Sequence, residues 1–176
     1  MAVLVEGITV VVRCLSILQK YEGGQARFVE DVPNRSLRAD GELAAVTFMT
    51  PSDAKGYVSR LEERGLKYAD GGEAADVVVV DQHTGMRARC VWAAFGTTNW
   101  NDVEGQSISV CQSVPSSVGK VVVPQGWKYE GSLTTRGVYV PADAVPGNLK
   151  FLRREPGRDV FWDESEKREM YVSRLG

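Results

Sequence analysis

One histidine and three cysteines in 176 residues leave this chain short of the side chains that most often do chemistry. Cys14, Cys90 and Cys111 are odd in number and form no Cys-x-x-Cys pair, which excludes a disulfide framework and fits a reducing compartment. Zinc takes three or four Cys, His or carboxylate ligands, and one histidine with three scattered cysteines leaves an all-carboxylate set as the main route to a site. The run "DVEGQ" lacks the repeated oxygen ligands of a calcium loop. Neither a metal nor a cofactor is expected.

Other signatures are missing too. "YEGGQARF" and "ADGGEA" carry adjacent glycines without the spacing of a dinucleotide or Walker fingerprint, and no G-x-S-x-G elbow occurs. There is no long apolar run: "MAVLVEGITVVVRC" is interrupted by Glu6 and Gly7 and closed by Arg13, so it reads as a first strand rather than a signal peptide or membrane span. A membrane is therefore not an expected partner, and the cytoplasm is the expected location. The formal charge of -2 supplies no field that would gather nucleic acid.

What is present is the composition of a soluble globular protein, 43% apolar and 25% charged, in a chain long enough to bury a core without staples. "ITVVVR" (8–13) is β-branched and reads as a buried strand, followed by helical pieces near 14–21 and 25–31, split by Gly23-Gly24 and stopped by Pro33. "LAAVTFM" is the next strand. In "FMTPSDAKGYVSRLEERGLKY" every local signal agrees on a helix. Thr50 is the N-cap, Pro51 suits the first turn, Asp53 meets the positive end of the dipole, and Gly65 closes it. Ala54, Tyr57, Val58 and Leu61 share one apolar face.

From Asp76 onward strands dominate. "DVVVVD" predicts a central strand, "QHTG" a hairpin turn and "MRARCVWAAF" the returning strand; "SISVCQ" and "KVVV" follow, and 128–148 is less regular. The segment from Leu149 reads as a three-stranded meander with turns at "EPGR" and "DESEK". The expected class is α+β, with N-terminal helices packed on a mostly antiparallel sheet and a C-terminal β-meander. One compact domain over 1–176 is expected, or two closely joined sub-lobes, 1–75 helix-rich and 76–176 strand-rich.

The strand and capped helix of "FMTPSDAKGYVSRLEERGL" resemble one module of the glyoxalase and dioxygenase (vicinal oxygen chelate) superfamily over about 20 residues. That family implies spaced His and Glu metal ligands, and one histidine cannot supply them, so no membership is drawn from the likeness.

Charge is unevenly spread: residues 91–149 hold only 7 of the 44 charged side chains but three of the four tryptophans, Trp92, Trp100 and Trp127. Charge-poor, tryptophan-bearing surface is what interaction patches and ligand clefts favour, although the same residues would equally build a sheet core. Within it "FGTTNWNDVEGQS" presents Trp100 and Asn101 in an expected loop. His83 stands near Asp81, with Arg87 and Arg89 across the turn, a pairing that could move protons, set against an ordinary polar turn. Cys90 and Cys111 lie in strand patterns and read as small buried hydrophobes rather than nucleophiles. Arg153, Arg154 and Arg158 near "EPGR" could receive an anion or serve as edge protection.

The reading these residues favour is a non-catalytic binding or interaction protein, accessory-like or immunity-like, that meets a protein partner or small-molecule ligand through Trp92, Trp100, Asn101, Trp127, Arg87 and Arg89. The alternative is a metal-independent enzyme on a small molecule, with His83 as general acid or base beside Asp81.

Overall fold

The computed structural model describes residues 1–114, 119–133, 137–140, 149–156 and 158–173. Along the chain the elements are β1 (Ala2–Val5), β2 (Ile8–Arg13), α1 (Cys14–Lys20), α2 (Gly24–Asp31), β3 (Arg38–Ala39), β4 (Leu43–Phe48), α3 (Pro51–Glu63), β5 (Ala69–Asp70), β6 (Glu73–Ala74), β7 (Val77–Asp81) and β8 (Gly85–Met86). Then come β9 (Ala93–Asn99), β10 (Ser107–Ser113), β11 (Val121–Val122), β12 (Gly137–Val140), β13 (Leu149–Glu155), β14 (Arg158–Asp163) and β15 (Arg168–Ser173). Short 3-10 turns occupy Trp100–Asp102 and Tyr129–Gly131. The class is α+β, and the sheets are mostly antiparallel; β1 with β11 and β12 with β15 are the parallel pairs among the described residues.

The β-branched run of β2 lies inside a sheet of order β3-β4-β2-β7-β8, with Val10 opposite Val46 on one side and Val79 on the other. Both faces of this sheet are covered, which is why its strands read as near-continuous apolar runs. Ile8, Val10, Val12, Ala44, Val46, Phe48 and Val77 face the helices and meet Ile17, Phe28, Tyr57, Val58 and Leu61. Val11, Ala45, Val78 and Val80 face the other way and meet Val3, Val5, Ala93 and Cys111 of a second sheet, ordered β11-β1-β10-β9. That sheet's outer side, Ala2, Leu4, Ile108 and Val110, is covered by Trp100, Val121, Val123, Trp127 and Tyr129. The layers thus run helices, sheet, sheet, and a final covering of loop and aromatic rings.

The C-terminal strands form the expected meander, β13, β14 and β15 pairing in succession, with β12 added along β15. Val160 and Tyr171 of this sheet bury against Leu133 and Met49, and so join it to the rest of the described chain.

The helix α3 has the anatomy its sequence predicts. Thr50 Oγ1 accepts from the Asp53 amide at 3.1 Å, Ala54, Tyr57, Val58 and Leu61 are buried, and Gly65 has φ +100° with Leu66 N–H bonded to the Leu61 carbonyl.

Three expectations need correction. The opening run is two strands in two sheets, not one, because Glu6 and Gly7 break it: Gly7 has φ +56°, and a Cβ there would lie 2.6 Å from the Phe48 carbonyl oxygen. The strand returning from "QHTG" stays in its sheet only through Met86; the chain then bends and re-enters at Ala93 in the second sheet. "FGTTNWNDVEGQS" is largely a hairpin, with Phe95 to Asn99 in β9, Asn99 paired with Ser107, and the turn formed around Trp100. In each case the deciding contacts are between residues distant in sequence, which a local pattern does not carry. The irregular 128–148 stretch falls partly outside the described residues.

Candidate functional site

The expected site residues do not form one group. His83 is exposed in the turn after β7, its ring nitrogen 3.3 Å from the Gln82 amide nitrogen. Asp81 is buried and braces that turn, accepting from the backbone N–H of His83 at 2.8 Å and Thr84 at 3.1 Å and from Arg87 at 3.3 Å. These bonds give Asp81 a structural duty as an Asx-type turn residue. Arg89 is exposed and pairs with Glu73 at 3.3 Å. His83 does not line the cavities described among these residues.

Trp92 is also apart from its companions. It packs between the two sheets, its Nε1–H donates to the Ala74 carbonyl at 3.0 Å, and Arg13 sits over its ring at 5.5 Å. Trp100 and Trp127, by contrast, come together on the outer side of the second sheet, edge to face with centroids 4.9 Å apart. Asn101 lies exposed beside them at φ 51°, a left-handed conformation that asparagine tolerates.

The cysteines are poor nucleophiles. Burial, reinforced by Asp40 and Glu42, pushes Cys14 up to about 11; burial pushes Cys111 up to about 12 and raises Cys90 as well. A thiol kept protonated at neutral pH neither attacks nor ligates readily.

Trp127 is placed by its own turn. Its N–H donates to the Pro124 carbonyl at 3.0 Å, and Gly126 takes φ +79°, so "PQGW" closes as a turn whose third position needs glycine. The turn leads into the Tyr129–Gly131 3-10 segment, after which the Ser132 hydroxyl donates to the Tyr129 carbonyl at 2.7 Å and the Leu133 amide donates to Glu6 Oε1 at 3.1 Å. Glu6 thereby pins the loop to the break between β1 and β2.

This loop forms one wall of a cleft of about 710 Å³. Trp127, Lys128, Ser132 and Leu133 come from it; Glu6, Arg35, Ser36, Thr47 and Met49 from the first sheet and its connections; and Glu155, Pro156 and Arg158 from the end of the β13–β14 hairpin. A cleft of this size falls within the range that holds small ligands. Among the described residues the indole Nε1–H of Trp127 is buried with no acceptor, an arrangement that costs about 1–3 kcal/mol.

Behind the cleft lies Arg38, a fully buried guanidinium. It donates through Nε at 3.1 Å and through Nη2 to the Leu4 carbonyl, through Nη1 to the Ser36 carbonyl at 2.9 Å and Thr47 Oγ1 at 2.8 Å, and through Nη2 to Thr9 Oγ1 at 3.3 Å. Burial lowers its pKa to about 10, and the Glu6 carboxylate works against that loss. Arg38 therefore ties β1, the connection before β3 and β4 into a rigid floor on which Ser36 and Thr47 stand.

At the opposite wall the arginines near "EPGR" are engaged inside the protein. Arg153 pairs with Glu155 and Glu169, each at 2.8 Å, Arg154 with Asp159 at 3.0 Å, and Arg158 with Glu155 at 2.7 Å while lying 4.2 Å over the Tyr171 ring. Burial works to raise Glu155, but bonds from Arg153 and Arg158 outweigh it and hold its carboxyl below the usual range.

The cleft residues Glu6, Arg35, Thr47 and Met49 were not singled out from the sequence. A charge inside the apolar run "VLVEGITVVV" was the one available signal for Glu6; nothing local marks Arg35.

Among the described residues no helix is long and apolar enough to cross a membrane, and no group of three or more His, Cys, Asp or Glu could hold a metal ion. No protein-family model, curated protein or solved structure matches this chain.

Proposed function

We propose that this is a non-catalytic binding protein whose recognition site is the cleft walled by Trp127. The observation that carries the reading is the cleft's construction. A half-buried tryptophan, backed edge-on by Trp100, shares one cavity with Glu6, Arg35 and Arg158, brought from three distant parts of the chain onto a floor held by Arg38. Concave sites that combine apolar walls with a few convergent polar groups are where ligands and partner side chains bind. Tryptophan and arginine at the centre of such a site are the residue types that carry binding energy.

The charge-poor segment contributes the aromatic wall, and segments outside it contribute most of the charge. Of the residues read from the sequence, Trp127 and Arg158 line the cleft and Trp100 supports Trp127.

Saturation-transfer NMR with a set of small aromatic fragments tests this reading. Fragments are expected to bind the wild-type protein and to lose that binding in Trp127→Ala, with the rest of the fold kept as judged by its amide spectrum. Equal binding to both proteins would overturn the assignment.

A further inference from the structure

We infer that the cleft selects a small anionic ligand, a carboxylate, sulfonate or phosphate carried on a flat apolar body. Arg35 and Lys128 are its counter-charges and Trp127 its apolar wall; the inference rests on the cleft being the binding site.

Charge bookkeeping around the cleft carries the argument. Five charged side chains line it: Glu6, Arg35, Lys128, Glu155 and Arg158. Glu155 accepts from both Arg153 and Arg158, and Arg158 is stacked on Tyr171, so this pair is matched within the protein. Glu6 accepts from the Leu133 amide and lies in the field of the buried Arg38. Arg35 and Lys128 are exposed at the cleft, and among the described residues neither has a hydrogen-bonding or ion-pairing side-chain partner. An entering anion meets two unmatched cations and breaks no internal pair. An entering cation meets the same two charges as repulsion and finds the carboxylates already engaged, Glu6 by the Leu133 amide and Glu155 by Arg153 and Arg158.

The shape is consistent with the charge. Trp127, Met49, Pro124, Pro156 and Leu133 supply apolar wall, while Ser36, Thr47, Gln125 and Ser132 supply neutral polar groups. A ligand with an apolar body and one charged end uses both kinds of surface. Because Arg35 and Lys128 are exposed, each is worth a few-fold in affinity, roughly five-fold, and not more.

Three probes with one flat body separate charge from shape: 2-naphthoate, 2-naphthamide and 2-naphthylmethylammonium. Each is titrated at low salt while the Trp127 indole N–H and the Thr47 and Ser132 amides are followed by NMR. The expected order is naphthoate tightest, by roughly tenfold over the amide, with the cation weakest. Arg35→Gln and Lys128→Gln should each weaken naphthoate about five-fold and leave naphthamide unchanged, their melting temperatures staying at the wild-type value. Naphthamide binding as tightly as naphthoate, or both probes weakening alike in the two variants, would overturn the anion assignment while leaving the cleft as a site. Failure of all three probes to move any cleft resonance would overturn the binding reading itself.

Discussion

Arg38 is the side chain on which several parts of the chain depend at once. Its guanidinium is out of water, five bonds fasten it to Leu4, Ser36, Thr47 and Thr9, and Glu6 is its nearby countercharge. Removing it leaves the Leu4, Ser36, Thr47 and Thr9 acceptors without this donor and takes away a countercharge of Glu6. Arg38→Met should therefore cost about 3–5 kcal/mol in a urea titration, whereas Arg35→Met, at the exposed rim, should stay within about 0.5 kcal/mol. A second expectation concerns Asp76. Burial works to raise its pKa, but the Ser16 hydroxyl at 2.6 Å, Lys20 at 3.0 Å and the Lys67 amide at 2.8 Å outweigh it and hold the carboxyl below its ordinary value. A depressed folded pKa means the stabilisation is complete above the unfolded value and is lost as pH falls through the folded one. Asp76→Asn should be less stable than wild type at pH 7, and the gap should close as pH drops below about 4, measured by urea midpoints across that range.

At the scale of elements, local and non-local information part company. The cap, apolar face and terminating glycine of α3 were legible because each depends on residues a few positions apart, and Thr50→Ala should cost about 1 kcal/mol by thermal melt. The strand β2 and both turns of the C-terminal meander were legible for the same reason. Sheet membership was not. Whether Ala2–Val5 continues into Ile8–Arg13 is decided by partners as distant as Ser109–Gln112 for β1 and Val77–Asp81 for β2. The same holds for the cleft: Trp127 stood out through composition, but its neighbours Glu6, Arg35 and Arg158 converge only through topology. Strand position also sets local stability. β2 is flanked on both sides and buried on both faces, while β13 is an edge strand with Phe151 and Leu152 half exposed. Hydrogen exchange should show β2 amides protected to the global limit and β13 amides opening first.

On the scale of the whole molecule, layers and cleft have one cause. The break at Glu6-Gly7 sends the chain from one sheet into the next, exposes the Glu6 carboxylate to the loop carrying Trp127, and leaves a gap that the β13–β14 hairpin end partly closes. Three smaller cavities offer alternatives: one of about 480 Å³ between α2 and α3, lined by Asp31, Arg60, Glu63 and Arg64, one of about 370 Å³ beside α3, and one of about 190 Å³ between α1 and α2, lined by Ile17, Leu18 and Val29. The first is lined by charged side chains, the one beside α3 mixes Ile8, Val58 and Val79 with Lys55, Glu62 and Arg87, and the one between α1 and α2 is mainly apolar; none of them contains a tryptophan. Soaking crystals of the protein with a library of small aromatic carboxylates, and mapping where they bind, tests the central claim directly. The account predicts that the bound fragments cluster against Trp127 within reach of Arg35 and Lys128; fragments found only beside α3 or between α1 and α2, with the cleft empty, would contradict it.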